Sequence, residues 1–163
     1  VQKFAAASLD QDIAREAREL KEMLSGVRLI LSVDRLDYSK GILNRLEGFE
    51  LFLEVNPEYH GKVALLMVVV PSRIGVVQYE LMKRQIEELV GKINGRFGRV
   101  GWTPVVYQYR QVPFTSLAAL YSVGYVCPVT PLRDGMNLVA KEYVATRGDG
   151  AGMLILSEMA GSA

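Results

Sequence analysis

The stretch Val63–Val70, VALLMVVV, decides the fold class of this chain. It is continuously apolar and rich in β-branched side chains, which is typical of a strand buried on both faces. Pro57 ends a predicted helix just before this stretch, and another predicted helix begins at Val76. Strands of this kind occur where helices cover both faces of a parallel sheet. The stretch therefore predicts an α/β domain.

The rest of the chain predicts the same alternation of strands and helices. Ile13, Ala17 and Leu20 lie at helical spacing, with Ser8 or Asp10 as the candidate N-cap of their helix. Helices are predicted over Ser8–Leu24, Leu43–Asn56, Val76–Asn94, Phe114–Val123 and Met136–Arg147. Strands are predicted over Val27–Val33, Val63–Val70, Pro104–Tyr109, Tyr125–Val129 and Met153–Ser157. This order predicts a Rossmann-like, three-layer α/β domain with a mostly parallel sheet of about five strands.

Composition excludes several classes of function. The chain has 163 residues, half of them hydrophobic, and a formal net charge of +1, so a nucleic-acid or membrane-surface partner is not expected. Its longest apolar run is far shorter than the roughly 20 residues that span a bilayer. One cysteine and one histidine exclude an internal disulfide and a cysteine- or histidine-rich metal site. We expect a cytoplasmic protein. Because the chain begins at Val1 and ends just after a predicted strand, we interpret it as part of a longer protein, truncated at both ends.

Charged side chains follow three of the predicted strands. Because ligands of open α/β sheets bind outside the carboxyl ends of the strands, these loops are expected to lie at one edge. Their cations indicate an anionic ligand such as phosphate or pyrophosphate, although solvated loop charges would explain each one singly. The cations are Arg35 and Lys40 after the first strand, Arg73 after the second and Arg133 after the fourth.

The usual phosphate-binding motifs are absent. The glycine-rich stretch Gly95–Gly101 precedes a strand rather than following one, so we interpret it as a connecting loop. This argues against a P-loop NTPase and an NAD-dependent dehydrogenase, and leaves a nucleotide-sugar or sugar-phosphate binder.

Asp134 could hold a sugar hydroxyl or simply cap the following helix. Glu142 could take two sugar hydroxyls or form a salt bridge with a neighbouring cation.

Three other side chains are interpreted as structural. His60 is predicted to be a surface residue at the edge opposite the site. Cys127 is expected to be a buried apolar side chain in the fourth strand. Trp102 is interpreted as packing at the start of the third strand. Tyr38 could stack on a ligand or pack against the second predicted helix.

Longer strings carry a family resemblance. They are SVDRLDYSKGI (Ser32–Ile42), PSR (Pro71–Arg73), ELVGKINGRFGRVGWTPV (Glu88–Val105), VPF (Val112–Phe114), VTPLRDGMNLVAKEYVA (Val129–Ala145) and LILSEMAG (Leu154–Gly161). In this order they resemble the trehalose-6-phosphate synthase family, glycosyltransferase family 20, over nearly the whole chain. The resemblance implies a retaining transferase of the GT-B fold, which pairs two Rossmann-like domains around the active site. Residues 1–163 would be most of the C-terminal, nucleotide-sugar-binding domain, with an N-terminal acceptor domain as its partner.

The resemblance also implies a reaction and a set of site residues. Glucose would move from UDP-glucose to glucose 6-phosphate, giving trehalose 6-phosphate and UDP, with no metal and no cofactor. Arg35 and Lys40 would hold the donor diphosphate and act in catalysis with Asp134, which would bind the transferred glucose. Arg73 would hold the acceptor phosphate. The other donor contacts implied are Val112 at the uracil, Gly135, Met136, Asn137, Leu138 and Val139 by their backbone, and Glu142 at the ribose.

Departures from the family pattern leave alternatives open. Ile74–Val77 is less polar than in many members, so acceptor details are in doubt, and Pro128 predicts an irregularity in the fourth strand. A related sugar-phosphate synthase, such as one making glucosylglycerol phosphate, would share the donor motifs. A non-catalytic module that binds UDP-sugar is the other alternative. We expect the isolated chain to be inactive, and association into a homo-oligomer is open.

Overall fold

Five parallel strands form the sheet in the computed structural model, which describes all 163 residues. The strands are β1 (Arg28–Arg35), β2 (Val63–Val70), β3 (Val105–Tyr109), β4 (Val126–Val129) and β5 (Met153–Leu156), in the order β3-β2-β1-β4-β5. Every neighbouring pair is parallel. The predicted α/β architecture and the number of strands are confirmed. β1 runs two residues further than predicted, so Asp34 and Arg35 end the strand rather than follow it.

Helices cover both faces of this sheet. They are α1 (Gln2–Ala5), α2 (Gln11–Leu24), α3 (Ile42–Val55), α4 (Val77–Phe97), α5 (Phe114–Val123) and α6 (Leu138–Thr146). Successive side chains of β2 point to opposite faces, as in any strand. Leu65 and Met67 pack with α3 and α4 in one hydrophobic cluster, whereas Leu66 and Val68 pack with α2, α5 and α6 in the other. The three layers therefore follow from the unbroken apolar run of β2.

The strand order reverses between β1 and β4. The chain moves outward from β1 to β2 and β3, crosses back through α5, and then moves outward again from β4 to β5. Loops after β1 and β4 leave in opposite directions here, which opens a crevice at the carboxyl ends of these strands. β4 pairs with β1 through one residue pair, Ile30 and Val126, but with β5 through four. This is the irregularity expected beside Pro128, which has no N–H to donate.

The first predicted helix, Ser8–Leu24, corresponds to α2 and begins later than predicted, and the short helix α1 before it was not predicted. Residues Ala6–Leu9 form a 3₁₀ turn that contains Ser8, and α2 starts at Gln11. Asp10 is its N-cap, because its carboxylate accepts hydrogen bonds from the backbone N–H of Asp12 (2.9 Å) and Ile13 (3.3 Å). Of the two candidate caps, Asp10 was therefore the correct one.

The glycine-rich stretch was interpreted wrongly in its first half. α4 continues through Gly95 to Phe97, although glycine disfavours helix interiors. Asn94 pins this last turn to β3, since its side chain donates to the carbonyl of Val105 and accepts from the N–H of Val105, both at 2.9 Å. This tertiary contact outweighs the low helix propensity of Gly95.

His60 was also predicted wrongly. It is half-buried rather than a surface residue, because its ring lies between Phe97 and Trp102, with centroids 5.3 and 5.7 Å away. Its Nε2 donates to the carbonyl of Leu53 at 2.7 Å. Trp102 is buried as predicted. None of the helices is both long enough and apolar enough to cross a membrane.

Candidate active site at the carboxyl edge of the sheet

Lys40 and Asp134 meet across the crevice between β1 and β4. Lys40 ends the 3₁₀ turn Tyr38–Lys40, and its Nζ lies 2.8 Å from Oδ2 of Asp134. Both side chains are mostly buried, at 13% and 16% exposure. The structure thus brings together two predicted site residues that are 94 positions apart in the chain.

The environment of Asp134 favours its ionised form. Partial burial works to raise the pKa of this carboxyl, but hydrogen bonds from Lys40 and from Nδ2 of Asn137 (2.9 Å) outweigh burial and hold the pKa below its usual value. Asp134 is therefore an anion at neutral pH, with one carboxylate oxygen already shared between two donors. A ligand that attracts Lys40 would release part of this carboxylate for other partners.

The turn that carries Lys40 is held in two ways. Asp37 caps it, accepting from the hydroxyl of Ser39 at 2.7 Å and from its N–H at 2.8 Å, and these bonds lower the pKa of Asp37. Gly41 ends it in the left-handed conformation, at φ 66°. A Cβ on Gly41 would lie 2.6 Å from the carbonyl oxygen of Thr130, so only glycine allows the loops after β1 and β4 to approach this closely.

Arg45 ties the same loops together from beneath. It is a buried residue of α3, 8% exposed, and its guanidinium forms an ion pair with Asp34 at 2.5 Å. Arg45 also donates to Oγ of Ser32 (2.6 Å), to Oγ1 of Thr130 (3.1 Å) and to the carbonyl of Lys40 (3.1 Å). Sequence reasoning missed Arg45, because an arginine inside a helix with apolar neighbours is usually a surface residue.

α6 begins two residues later than predicted, and its cap differs from the candidate. Asn137 is the N-cap, accepting from the N–H of Ala140 at 3.0 Å, whereas Asp134 lies in the loop before the helix. Capping therefore does not account for Asp134. Met136 and Leu138 are exposed, and a Cβ built on Gly135 would meet open space, so this loop lies at the surface.

Residues near Ala163 support the loop of Asp134, which sequence reasoning did not anticipate. The N–H of Asp134 donates to the carbonyl of Met159 at 3.1 Å, and the N–H of Gly161 donates to the carbonyl of Gly135 at 2.9 Å. The hydroxyl of Ser162 bonds both backbone groups of Asn137. The string LILSEMAG matched the family without a role being evident, and the contacts supply one.

Glu142 lies on α6 without a cationic partner. Its Oε2 accepts a hydrogen bond of 3.0 Å from the hydroxyl of Tyr121, a fully buried residue of α5. Its Oε1 accepts none within the chain, and none of the ion pairs includes Glu142. The alternative of a salt bridge at Glu142 is wrong.

The arginines of this edge are exposed. Arg35 and Arg133 belong to no ion pair of the structure. Arg73 adopts the left-handed conformation, at φ 49°, and its guanidinium lies 5.4 Å from the ring centroid of Tyr79. Tyr38 packs edge-on against Tyr79 at 5.4 Å, which links the loop of Arg73 to the turn of Lys40. Tyr38 therefore packs against α4, not against α3 as one interpretation had it.

Val112, the residue predicted to face the uracil, follows β3 at the carboxyl edge of the sheet. Val112 is half-buried in the loop after β3 and packs on the same hydrophobic cluster as Val139 of α6. No group of three or more His, Cys, Asp or Glu side chains could hold a metal ion. Three arginines without anionic partners and one lysine lie in or next to the segments that leave the carboxyl edge of the sheet, and such cations suit a polyanionic ligand.

Comparison with known proteins identifies the family of this chain. The sequence profile described as "Glycosyltransferase family 20" matches residues 1–163. The chain belongs to glycosyltransferase family 20. It is 51% identical over 98% of its length to the bifunctional trehalose-6-phosphate synthase/phosphatase of Thermoproteus tenax. It is 45% identical over its full length to the alpha,alpha-trehalose-phosphate synthase (UDP-forming) of Candida albicans.

Solved structures of family 20 members share the fold. A synthase from Burkholderia xenovorans in complex with glucose-6-phosphate superposes with a TM-score of 0.92 at 42% identity, covering 98% of this chain and 36% of that one. A protein from E. coli bound with UDP-2-fluoro glucose gives a TM-score of 0.86 at 41% identity, covering 93% of this chain and 36% of that one. The family 20 chain spans only 22% and 34% of the two curated relatives named above.

Proposed function

We propose that this chain is the donor-binding domain of an alpha,alpha-trehalose-phosphate synthase (UDP-forming), which moves glucose from UDP-glucose to glucose 6-phosphate. The observation that carries the proposal is the pairing of Lys40 with Asp134 at the reversal of strand order, beside the unpaired Arg35. Membership of family 20 and identities of 45% and 51% to the synthases named above support the choice of reaction.

Breaking the bond between the glucose and the diphosphate leaves negative charge on UDP. Arg35 and Lys40 would stabilise that charge as it develops, which is electrostatic stabilisation of the transition state. As Lys40 turns to the diphosphate, Asp134 would be released to accept hydrogen bonds from hydroxyl groups of the transferred glucose. Lys40 and Asp134, which pair with each other in the structure, would thus separate when the donor binds, Lys40 contacting its diphosphate and Asp134 its glucose.

The other site residues would divide the substrates between them. Glu142 would hold the ribose hydroxyls, Val112 would face the uracil, and backbone groups of residues 135–139 would line the donor. Arg73 would bind the phosphate of the acceptor. We assign no enzyme nucleophile, and the carboxylate of Asp134 is proposed only to bind hydroxyl groups of the glucose.

We propose further that the parent acts in the cytoplasm, where phosphorylated sugars are available, and that an N-terminal acceptor domain completes its site. Association into a homo-oligomer is part of the same proposal. A second candidate function is a related sugar-phosphate synthase. The exposed stretch Ile74–Val77 favours a different acceptor, since it is less polar than in many family members and directly follows Arg73, which is proposed to bind the acceptor phosphate. Assays of the full-length parent with glucose 6-phosphate and with glycerol 3-phosphate would separate the two.

Calorimetric titration of the chain with UDP, ADP and GDP tests the donor site. Selective binding of UDP is expected. Arg35→Ala should weaken UDP binding by about 10- to 100-fold, the value of one or two charge-assisted hydrogen bonds, while leaving the weaker binding of uridine unchanged. Arg18→Ala is the matched control, because Arg18 is an exposed arginine on α2, away from the site. Equal losses for UDP and uridine would refute the role of Arg35, and no selectivity among the nucleotides would refute the donor site.

A further inference from the structure

The fully buried Tyr121 lies behind a carboxylate of the site. Its ring packs edge-on against Phe4 at 5.6 Å and against Tyr143 at 6.3 Å, which fixes the position of the ring in the core between α5 and α6. Its hydroxyl has one partner in the structure, Oε2 of Glu142 at 3.0 Å. A buried side chain with a fixed ring therefore presents a single donor to a half-buried carboxylate.

The hydrogen bond from Tyr121 leaves the two carboxylate oxygens of Glu142 in different situations. One carboxylate oxygen is held by Tyr121, and the other has no partner within the chain. Burial, and next the charge of Glu142, raise the pKa of the Tyr121 hydroxyl far above its ordinary value, so this hydroxyl stays a donor throughout the working pH range. A carboxylate held at one oxygen loses less rotamer freedom when the other oxygen binds a ligand.

We propose that Tyr121 is a positioning residue that orients Glu142 toward the vicinal hydroxyl groups of the bound nucleoside. This inference rests on the proposed function, in which Glu142 holds the ribose. Tyr121 touches no substrate itself and acts only through the carboxylate. It takes no part in holding the diphosphate, which lies with Arg35 and Lys40.

Tyr121→Phe tests the proposal, because it removes one hydroxyl and keeps the ring packing. The dissociation constant for UDP should rise about three- to tenfold, the value of one hydrogen bond. The constants for inorganic pyrophosphate and for 2′,3′-dideoxy-UDP should stay unchanged, since neither ligand has the hydroxyl groups that Glu142 would hold. In a Glu142→Ala background, Tyr121→Phe should have no further effect on UDP binding.

Tyr143→Phe is the matched control. Tyr143 is a buried tyrosine of the adjacent helix α6, but its hydroxyl donates to the carbonyl of Gly124 at 2.9 Å instead of to Glu142. Its loss should lower thermal stability without changing the affinity for UDP. A purely structural role of Tyr121 would weaken pyrophosphate and UDP alike, as would general damage to the fold, and that result would overturn the inference.

The remaining outcomes separate this inference from the proposed function. Wild-type chain that binds UDP, with a Tyr121→Phe variant of equal affinity, overturns the inference alone. A full-length parent protein that binds no uridine nucleotide overturns the proposed donor site and, with it, the inference. A loss confined to ligands that carry ribose hydroxyl groups, abolished in the Glu142→Ala background, supports it.

Discussion

Replacing Arg45 by methionine should destabilise this domain strongly, because it leaves the carboxylate of Asp34 buried without its partner. The two side chains are 5% and 8% exposed, and the pair lies beneath the loops that carry Lys40 and Thr130. Methionine fills most of the volume of the arginine stem, so the lost charge dominates over the lost packing. Breaking one side of a buried ion pair costs about 3–5 kcal/mol. Domains of this size have stabilities of about 5–15 kcal/mol, so the effect is a large part of the total.

The stability lost in Arg45→Met should be greater at pH 7 than at pH 5. Burial raises the pKa of the Asp34 carboxyl in the folded protein, and Arg45 opposes that rise. Without Arg45 the folded-state pKa moves further above the unfolded value of about 3.9. A group with a raised folded pKa is most favourable to folding below its unfolded pKa, and this stability is lost as pH rises through the folded pKa. Arg45→Met should therefore be closer to wild type at pH 5 than at pH 7.

Urea unfolding at both pH values measures this effect. Asp34→Asn combined with Arg45→Met is the control, because removing both charges leaves no buried ion, and the double variant should recover most of the stability lost at pH 7. A single variant within about 1 kcal/mol of the double variant at pH 7 would refute the reasoning, since a buried unpaired charge costs more than that. A destabilisation equal at pH 5 and pH 7 would refute it as well.

Three further predictions concern the loops above this pair. Gly41→Ala should destabilise the domain by at least about 1–2 kcal/mol, the cost of a left-handed non-glycine residue, and its Cβ would also meet a carbonyl oxygen at 2.6 Å. Gly91→Ala in α4 is the control, because a Cβ there meets open space, and it should be neutral or stabilising. Thermal denaturation of both variants measures the difference. Asp134→Asn should bind UDP as tightly as wild type or a few-fold more tightly, and UDP-glucose more weakly, by calorimetry; weaker binding of both would contradict the partner exchange proposed for this carboxylate. The pKa of Asp37 is lowered by hydrogen bonds within its own turn, so it contributes stability above the unfolded pKa that is lost as pH falls through the folded pKa. Between pH 5 and pH 2 the free energy of unfolding, measured with urea, should fall less for Asp37→Asn than for wild type. An equal fall in both proteins would show that the hydrogen bonds from Ser39 to Asp37 do not contribute to stability.

Several features of this protein could be read from local pattern alone. The apolar run Val63–Val70 predicted a strand buried on both faces, and its alternate side chains do pack into two separate clusters. The alternation of elements predicted the parallel sheet, since parallel strands need crossover connections. The placement of Lys40 and Asp134 after two different strands predicted that they would lie at one edge, and the salt bridge confirms it. These predictions succeed because periodicity and strand direction are properties of the local chain.

Other predictions failed where a contact distant in sequence overrides local preference. Gly95–Gly101 looked like a loop, but the two bonds from Asn94 to Val105 extend the helix into it. Capping was one of two alternatives for Asp134, and it is excluded because Asn137 takes the cap position while Lys40 pairs with Asp134. His60 looked exposed, but Phe97 and Trp102 close around its ring.

The sequence by itself determined the layers, the strand direction and the residue types available at the carboxyl edge of the sheet. Only the tertiary structure decided which partner each of these residues has. Glu142 accepts from Tyr121, 21 positions away, and Arg45 reaches Thr130, 85 positions away. Hydrogen bonds and ion pairs act over a few ångströms, and the spacing of residues along the chain does not state which side chains come that close. Only the packing of α5 on α6, and of α3 beneath the β1 and β4 loops, brings these atoms together.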